Sequence, residues 1–463
     1  MGRRSLLLMG LSGCLVQDPA WEPPASTDGA EDGTSTSSAE TSGDGSEGND
    51  SRGSSPTDDL PADCSPLGEV PRDPIVVGPD DNATLHTIVA EAPSGTTIAL
   101  EPGTYDRAGQ PTIVLGTSGL TLRSTTRTPE DVILDGGGAG TSPLVTVTAD
   151  DVTLAELTVQ NNGDVLVDVG TQASVLQRPR LYRMVFRDAR GALLDVGDAE
   201  GRWTDDGAVA CSTFEISDAF RESSSSCSGL GAIRISGGAR WIVRDNHIEG
   251  MWCSTSTYAA IAAALGSSDT RVERNVLRNV YRGILLGGDN ITDGRPEPDG
   301  DRCGVPDGAT WGHVRGVVAN NVIWVDDPRM AGALVGADTD LDSMIGFWHV
   351  CAGAAVHNTS YVTLTTFNGI EWRYPDTSVT IANNLISTTL MQRQDGVALG
   401  LETNGVQTAP TEYVNPGAGD FSLVAGSVAR DAGVDVPGIP VPRDFDGEPR
   451  VGRPDLGAFE FQP

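Results

Sequence analysis

Leu166-Val-Asp-Val-Gly170 returns 27 residues later as Leu193-Leu-Asp-Val-Gly197. At the same spacing, Leu157-Thr-Val159 is followed by Met184-Val-Phe186. Short apolar phrases that return at a fixed spacing indicate stacked repeats, because each repeat must place its inward side chains above those of the one before. A sandwich of hairpins has no such requirement. The repeat therefore predicts an all-β solenoid of parallel coils, a parallel β-helix.

Asparagine recurs in an apolar-x-x-Asn-x-apolar pattern at positions 246, 275, 321 and 384, and Asn358 fits it more loosely. Asparagine tolerates left-handed backbone at a turn and can hydrogen-bond to its counterpart in the next coil. A spacing of 29 residues also places opposite charges over one another and Trp252 over Tyr281. The charged pairs are Arg244 with Glu273, Asp245 with Arg274, and Glu249 with Arg278. Such pairs are expected of adjacent parallel rungs.

The sequence predicts four segments. Residues 1–14 read as a signal peptide with a lipobox, and 15–73 as a disordered acidic tether rich in Ser, Gly and Thr. Residues 74–405 form the predicted β-helix, in which Thr84–Ala92 has the spacing of a short N-terminal capping helix. Residues 406–463 form an irregular C-terminal cap. Longer intervals at about 198–230, 289–312 and 325–344 predict loops that project from the coils.

The N-terminus has the layout of an export signal. Arg3 and Arg4 precede a short apolar run, and Leu11-Ser-Gly-Cys14 then resembles the lipobox of bacterial lipoproteins. The resemblance implies lipidation of Cys14, a membrane anchor, and a place in the cell envelope as an outer-membrane or cell-surface lipoprotein. The alternative is a chance cysteine in a leader that is cleaved elsewhere.

Charge restricts the partners. The net charge is −33, from 64 acidic and 31 basic residues, and none of the basic residues is lysine. A field of this sign repels phosphate backbones, so no nucleic-acid partner is expected. Calcium is a possible cofactor, because hard cations prefer carboxylate oxygens. An anionic polysaccharide would need a bridging cation or a local group of arginines. We predict a monomer.

Six cysteines remain beyond Cys14: Cys64, Cys211, Cys227, Cys253, Cys303 and Cys351. An even number outside the cytoplasm predicts disulfides, and their spacing lacks the CxxC pairs of a zinc site. Because Cys211 and Cys227 bracket a serine-rich excursion, we predict a bridge between them. The other four cysteines allow three pairings, which the sequence leaves open.

Two ends of the chain resemble a known superfamily. The superfamily is that of the pectate-lyase-like proteins, which are right-handed parallel β-helices. Ile98-Ala-Leu-Glu-Pro-Gly-Thr-Tyr105 is similar to their first coil, and three phrases near the C-terminus are similar to their tail. The C-terminal phrases are Asp420-Phe-Ser-Leu-Val-Ala-Gly-Ser-Val-Ala-Arg-Asp-Ala-Gly433, Asp444-Phe-Asp-Gly-Glu-Pro-Arg450 and Asp455-Leu-Gly-Ala-Phe-Glu460. The resemblance covers residues 75–463 in pattern and is close at the ends. It implies the fold but no reaction, since lyases, hydrolases, epimerases and adhesins share it. Asp444 and Asp446 are open to a calcium-loop interpretation, although a turn-and-cap role is favoured.

One column of side chains carries a site hypothesis. If the strands containing Asp168, Asp195 and Arg234 lie on one side of successive coils, these residues stack on one face. The two aspartates could then hold calcium, while Arg234 acts as a base or as a clamp for a uronate carboxylate. The alternative is a surface ladder neutralised by Arg234 and solvent. Trp203 and Trp311 lie in the predicted loops and are candidate sugar contacts, with packing as the alternative.

Two functions remain open. The first is a surface-anchored β-helix that binds polysaccharide or another surface component without turnover. The second is a calcium-assisted polysaccharide lyase or glycoside hydrolase of unrecognised family. The resemblance supplies no intact catalytic signature, since lysine is absent and Trp311-Gly-His313 is all that remains of a glycosidase Gly-His-Gly. The sequence therefore favours binding.

Overall fold

The computed structural model describes residues 60–462, apart from 141, 171–174, 199–200, 224–226, 228, 254–256, 290–293, 297–309 and 334–340. Cys14, the lipobox and residues 15–59 of the predicted tether lie outside the described residues. Among the residues described, no helix is long and apolar enough to span a membrane.

Three long parallel sheets form the body of the protein, and each coil of the chain contributes a strand to each of them in turn. Sheet 1 has twelve strands: Ile75–Val77, Thr97–Leu100, Thr121–Ser124, Thr153–Ala155, Arg180–Tyr182, Ala208–Ala210, Ile242–Arg244, Arg271–Glu273, Val317–Ala319, Gly353–Val356, Ser378–Ala382 and Val397–Glu402. Sheet 2 has ten: Gly103–Asp106, Val132–Asp135, Thr158–Asn162, Val185–Ala189, Thr213–Glu215, His247–Glu249, Val276–Arg278, Val322–Val325, Thr359–Val362 and Leu385–Ile386. Sheet 3 also has ten: Ile113–Leu115, Val145–Val147, Val167–Val169, Ala192–Val196, Gly231–Ser236, Ile261–Ala264, Ile284–Gly287, Ile345–Trp348, Ile370–Arg373 and Leu390–Arg393.

Shorter elements complete the fold. Two small parallel sheets consist of Leu176–Gln177 with Thr204–Asp205, and of Ser267–Ser268, His313–Val314 and Val350–Cys351. One antiparallel pair joins Tyr413–Asn415 to Asp420–Leu423. The α-helices are Leu85–Glu91, Asp218–Ser223 and Pro328–Ala333, and the 3₁₀ helices are Pro79–Thr84, Pro129–Asp131, Pro410–Glu412 and Pro416–Ala418. The predicted short N-terminal helix is confirmed at Leu85–Glu91, where Leu85 and Val89 are buried against the first coils.

The repeats predict the register correctly. Val169 pairs with Val196 in parallel strands of sheet 3, and Phe186 lies under Phe214 in sheet 2 with their rings stacked at 4.5 Å. Like side chains therefore lie over one another inside the coils, and the apolar residues of successive coils form one continuous buried core. The predicted all-β solenoid of parallel coils is confirmed.

A ladder of asparagines, all buried except the last, runs along the turn between sheets 1 and 2. Its members are Asn246, Asn275, Asn321, Asn358, Asn384 and Asn404. Each Nδ2 donates to the Oδ1 of the next asparagine at 2.9–3.0 Å. The sequence pattern found all of these positions except Asn404, which closes the ladder in the last coil.

The charged pairs predicted at the 29-residue spacing also occupy matching positions. Arg244 lies in register with Glu273, and Glu249 with Arg278. Arg274 donates Nε to Oδ1 of Asp245 at 2.8 Å. The Arg244 guanidinium, however, pairs with Asp245 rather than with Glu273.

The predicted Cys211–Cys227 disulfide is wrong. Cys211 is bonded to Cys64, and Cys227 to Cys253, with Cα–Cα distances of 5.5 Å and 6.4 Å. The reason is that Cys211 follows a strand of sheet 1, and the N-terminal segment packs across the outer face of that sheet through Leu60. Cys227, by contrast, lies in the loop that leads to sheet 3. Cys351 is also disulfide-bonded, and Cys303 lies outside the described residues.

Aspartates close the C-terminal cap through the backbone. Asp444 accepts the amides of Glu448 and Glu460 at 2.8 Å and 2.9 Å. Asp455 accepts the amides of Asp431 and Phe461. These bonds fit the turn-and-cap role predicted for Asp444, because each oxygen of its buried carboxylate accepts a backbone amide.

Candidate functional site

The column predicted on one face of the coils is present in sheet 3. Asp168 lies in register with Asp195, and Asp195 with Arg234. Arg234 donates Nε to Oδ1 of Asp195 at 2.8 Å and Nη2 to Oδ2. The structure therefore brings together the three residues that the sequence singled out. Two of them, Asp195 and Arg234, form a bidentate ion pair.

This ion pair favours one of the two roles suggested for Arg234, a clamp for a ligand, over that of a base. The hydrogen bond to Asp195 raises the pKa of Arg234 above its usual range. A guanidinium held in this way keeps its proton, so it is unsuited to act as a base. Its geometry instead favours holding an acceptor group of a ligand through the donors that Asp195 does not use.

The column by itself fits calcium poorly. Calcium takes six to eight oxygen ligands, and the two oxygens of Asp195 are already hydrogen-bonded to Arg234. Among the described residues, the cluster with metal-ligand spacing is Cys64, Cys211 and Asp245, whose two sulfurs form a disulfide. Calcium binding at Asp168 and Asp195 thus stays a prediction that needs ligands from elsewhere.

A cleft of about 370 Å³ opens beside Arg234, where the strands of sheet 3 end. Asp195, Arg234, Tyr258 and Asp289 line it, together with the backbone of Gly288. Burial raises the pKa of Tyr258, so its hydroxyl keeps its proton at neutral pH. The cleft, which Asp198 also lines, therefore presents a fixed cation, a hydroxyl and three carboxylates within one concave surface, as small-ligand sites do.

An apolar and aromatic cluster lies beside the cleft in sheet 3. Ala262 and Leu285 follow Arg234 in register, and Trp348 packs with them. All three are buried, and the guanidiniums of Arg282 and Arg373 lie over the Trp348 ring at 4.8 Å and 4.5 Å, so this ring is not an open platform.

Tyr258 and Tyr374 pack against this cluster from its edge. The Tyr374 hydroxyl donates to Oδ1 of Asp289 at 2.5 Å, which ties the cluster to the cleft.

A second ion pair stands at the far end of the same face. Glu371 is fully buried and accepts hydrogen bonds from Nε1 of Trp348 at 2.6 Å and from Nη1 of Arg393 at 3.0 Å. Five rung spacings separate the strand of Asp195 from that of Glu371, which at about 4.8 Å each makes a face roughly 24 Å long.

The two predicted tryptophan contacts lie elsewhere. Trp311 is 5% exposed and packs against Val314 and Cys351, so its ring is not available as a platform. Trp203 is half-buried, and the guanidinium of Arg295 covers one face of its ring at 4.9 Å. Sequence reasoning missed Tyr258, Asp289 and Tyr374, which no motif marks.

The sequence matches no family model and no curated protein. Among solved structures, the model matches the pectate lyase Pel9A with a TM-score of 0.54 and 15% identity, over 87% of this chain and 100% of that chain. It also matches an alginate lyase from Paenibacillus sp. str. FPU-7, with a TM-score of 0.47 and 14% identity, over 70% of this chain and 98% of that chain. The protein is a right-handed parallel β-helix. At this identity the likeness shows the fold alone, so the function of the β-helix must be argued from its residues.

Proposed function

We propose that the β-helix binds a polysaccharide along the outer face of sheet 3 without cleaving it. The observation that carries the proposal is the cleft of about 370 Å³ beside Arg234, which is lined by Asp195, Arg234 and Tyr258. Fixed hydrogen-bond donors and acceptors within one concave surface suit the hydroxyls of a sugar.

The charges of the cleft favour a neutral polysaccharide. Asp195, Asp198 and Asp289 line it against the single cation Arg234, and the whole chain carries a net charge of −33. A polyanion would meet repulsion here unless a divalent cation bridged it. Calcium is therefore part of the proposal only for acidic polysaccharides.

Two residues of the cleft are hydrogen-bond donors at neutral pH. Both Arg234 and Tyr258 have raised pKa values, the first from its bond to Asp195 and the second from burial. Both groups therefore keep their protons and can donate hydrogen bonds to sugar oxygens.

Glycan binding can be tested with the purified protein on columns of neutral and uronic-acid polysaccharides, with and without calcium. We expect retention without products. Products that absorb in the ultraviolet would instead indicate a lyase, and new reducing ends a hydrolase; either outcome contradicts the proposal. Tyr258→Phe removes one hydrogen bond and should weaken binding about three- to tenfold. Tyr361→Phe, in the C-terminal part of the coils, is the matched control and should bind like the unmodified protein.

We further propose that Cys14 carries the lipid that anchors the β-helix, as a monomer, in the cell envelope. The order of a positive stretch, an apolar run and Leu11-Ser-Gly-Cys14 supports it. In a bacterial host, labelled palmitate should enter the protein and the chain should fractionate with membranes. Cys14→Ala should abolish both. If the Cys14→Ala variant still takes up labelled palmitate, Cys14 is not the lipidated residue and the proposed anchor is wrong.

A further inference from the structure

Two arginines stand side by side at the end of sheet 3. Arg373 and Arg393 are the last residues of its final two strands, Ile370–Arg373 and Leu390–Arg393, and they lie in register one rung apart. One rung is about 4.8 Å in a parallel sheet. Glu371 accepts a hydrogen bond from Nη1 of Arg393 at 3.0 Å and so balances one of the two charges. Arg373 forms no ion pair with any described residue, which leaves the second charge without a partner.

Arg373 keeps two donor groups open. Its Nε donates to Oε1 of Gln394 at 2.8 Å, and its guanidinium lies over the rings of Trp348 and Tyr374 at 4.5 Å and 4.8 Å. These contacts hold the planar group in place. Nη1 and Nη2 make no hydrogen bond with the described residues and reach solvent. A guanidinium held in this way presents both NH₂ groups to an incoming oxyanion.

The carboxylates of the same region do not compensate Arg373. Three of them are bonded to other groups: Asp342 to Arg282, Asp376 to His349, and Asp289 to the Tyr374 hydroxyl. Asp395 is exposed in the next turn and pairs with neither arginine. Burial raises the pKa of Tyr374, whereas the charges of Arg373 and Arg393 lower it. Both guanidiniums therefore act on the same small region of the surface, and an oxyanion is the partner that this region lacks.

An exposed aromatic ring lies beside the arginines. Phe367 is 41% exposed and is the only exposed aromatic side chain among the described residues. The guanidinium of Arg393 lies over this ring, 4.4 Å from its centroid. Nε and Nη2 of Arg393 make no hydrogen bond within the described part of the chain. An exposed ring suits the apolar face of a sugar, while open guanidinium donors suit an anionic substituent on that sugar.

We propose that Arg373, Arg393 and Phe367 bind a phosphate monoester carried by a sugar. The phosphate oxygens accept hydrogen bonds from Nη1 and Nη2 of Arg373, and Arg393 adds a second positive charge one rung away. A phosphate has three acceptor oxygens and carries about two negative charges at neutral pH, so it can use both arginines, whereas one guanidinium satisfies a carboxylate. The site is separate from the cleft beside Arg234, where one cation faces three carboxylates. It does not depend on the binding of polysaccharide there.

Calorimetric titration of the purified protein with glucose 6-phosphate tests this site, with glucose and glucuronate as the neutral and the carboxylate counterparts. We expect saturable binding of glucose 6-phosphate, about tenfold tighter than that of either counterpart, because only the phosphate uses both arginines. Inorganic phosphate should compete with glucose 6-phosphate, since both place the same group on Arg373.

Four variants locate the binding. Arg373→Met removes the open donors and should weaken the binding of glucose 6-phosphate about tenfold. Arg373→Lys keeps the charge without the planar pair of donors, so its affinity should be intermediate. Phe367→Ala should weaken glucose 6-phosphate about threefold and leave inorganic phosphate unchanged. Arg443→Met is the matched control, because Arg443 lies in the C-terminal cap and also lacks an ion pair with the described residues. This variant should bind normally.

The proposal is wrong if glucose 6-phosphate does not bind, if glucuronate binds as tightly, or if Arg373→Met binds normally. Should Arg373→Met fail to fold, as judged by circular dichroism, unchanged affinity in both Arg373→Lys and Phe367→Ala would refute the site. Columns of neutral polysaccharide separate this site from the proposed function. Arg373→Met should keep the retention that depends on Tyr258. A protein that no column retains but that binds glucose 6-phosphate would refute the proposed function and support this site.

Discussion

Replacing Arg123 by methionine is expected to lower the free energy of unfolding by about 3–5 kcal/mol. Arg123 donates Nε and Nη2 to Oε2 of Glu156 at 3.1 Å and 2.6 Å. Glu156 is fully buried, and its other oxygen accepts the amide of Leu67 at 2.8 Å. Arg123 also binds the oxygen of Gly68. Its loss would leave a buried carboxylate without its cation and would remove one of the contacts that hold the N-terminal segment on sheet 1.

Urea unfolding followed by circular dichroism measures this effect. The double variant Arg123→Met, Glu156→Gln should recover most of the loss, because no uncompensated charge then remains. Arg178→Met breaks a pair whose side chains are 41% and 44% exposed, and it should cost less than about 1 kcal/mol. If Arg123→Met and Arg178→Met lower the free energy of unfolding equally, breaking the buried ion pair costs no more than breaking the exposed one, and the prediction is wrong.

The register of the coils was predictable because each coil of a parallel solenoid must place its inward side chains over those of the coil before it. Val169 and Val196 share one inward position of sheet 3, and the coil between them has the basic length. Asp195 and Arg234 share an outward position although 39 residues separate them, since the extra residues leave the coil as a loop. The phrase around Asp168 and Asp195 thus identified the column, and the alternation of the strand placed it on the outer face.

The disulfides could not be predicted, because they depend on how loops and the N-terminal segment pack. Cys64 precedes the first strand and has no repeat partner, yet it bonds to Cys211 across 147 residues of sequence. The bridge depends on Leu60 lying against Tyr182 on the outside of sheet 1. No periodic signal describes a segment that crosses the coils from outside.

Of the residues that line the cleft, the sequence predicted only those of the charged column, Asp195 and Arg234. Asp289 and Tyr374 are 85 residues apart and meet because loops of unequal length end at the same edge of sheet 3. Tyr258 lies before the strand Ile261–Ala264 and enters the cleft from its edge.

Asn321→Ala is expected to destabilise the protein by about 3 kcal/mol, because it interrupts the asparagine ladder at its middle. The Asn321 side chain is fully buried. Its Nδ2 donates to Oδ1 of Asn358 at 3.0 Å and to the oxygen of Val272 at 2.8 Å. Its Oδ1 accepts both Nδ2 and the backbone amide of Asn275 at 2.9 Å and 3.0 Å. Alanine would leave that buried amide without its acceptor in the protein.

Asn404→Ala supplies the comparison, because Asn404 ends the ladder and is partly exposed. Solvent can replace its bonds to Asn384, so the expected loss is about 1 kcal/mol. Both variants remove the same amide, and the difference between their urea midpoints therefore measures what burial within the coils adds. If burial of the ladder inside the coils adds no stability, the two variants should lose the same free energy of unfolding. A larger loss at Asn321 would show that each coil relies on the amide of the next to satisfy its own backbone.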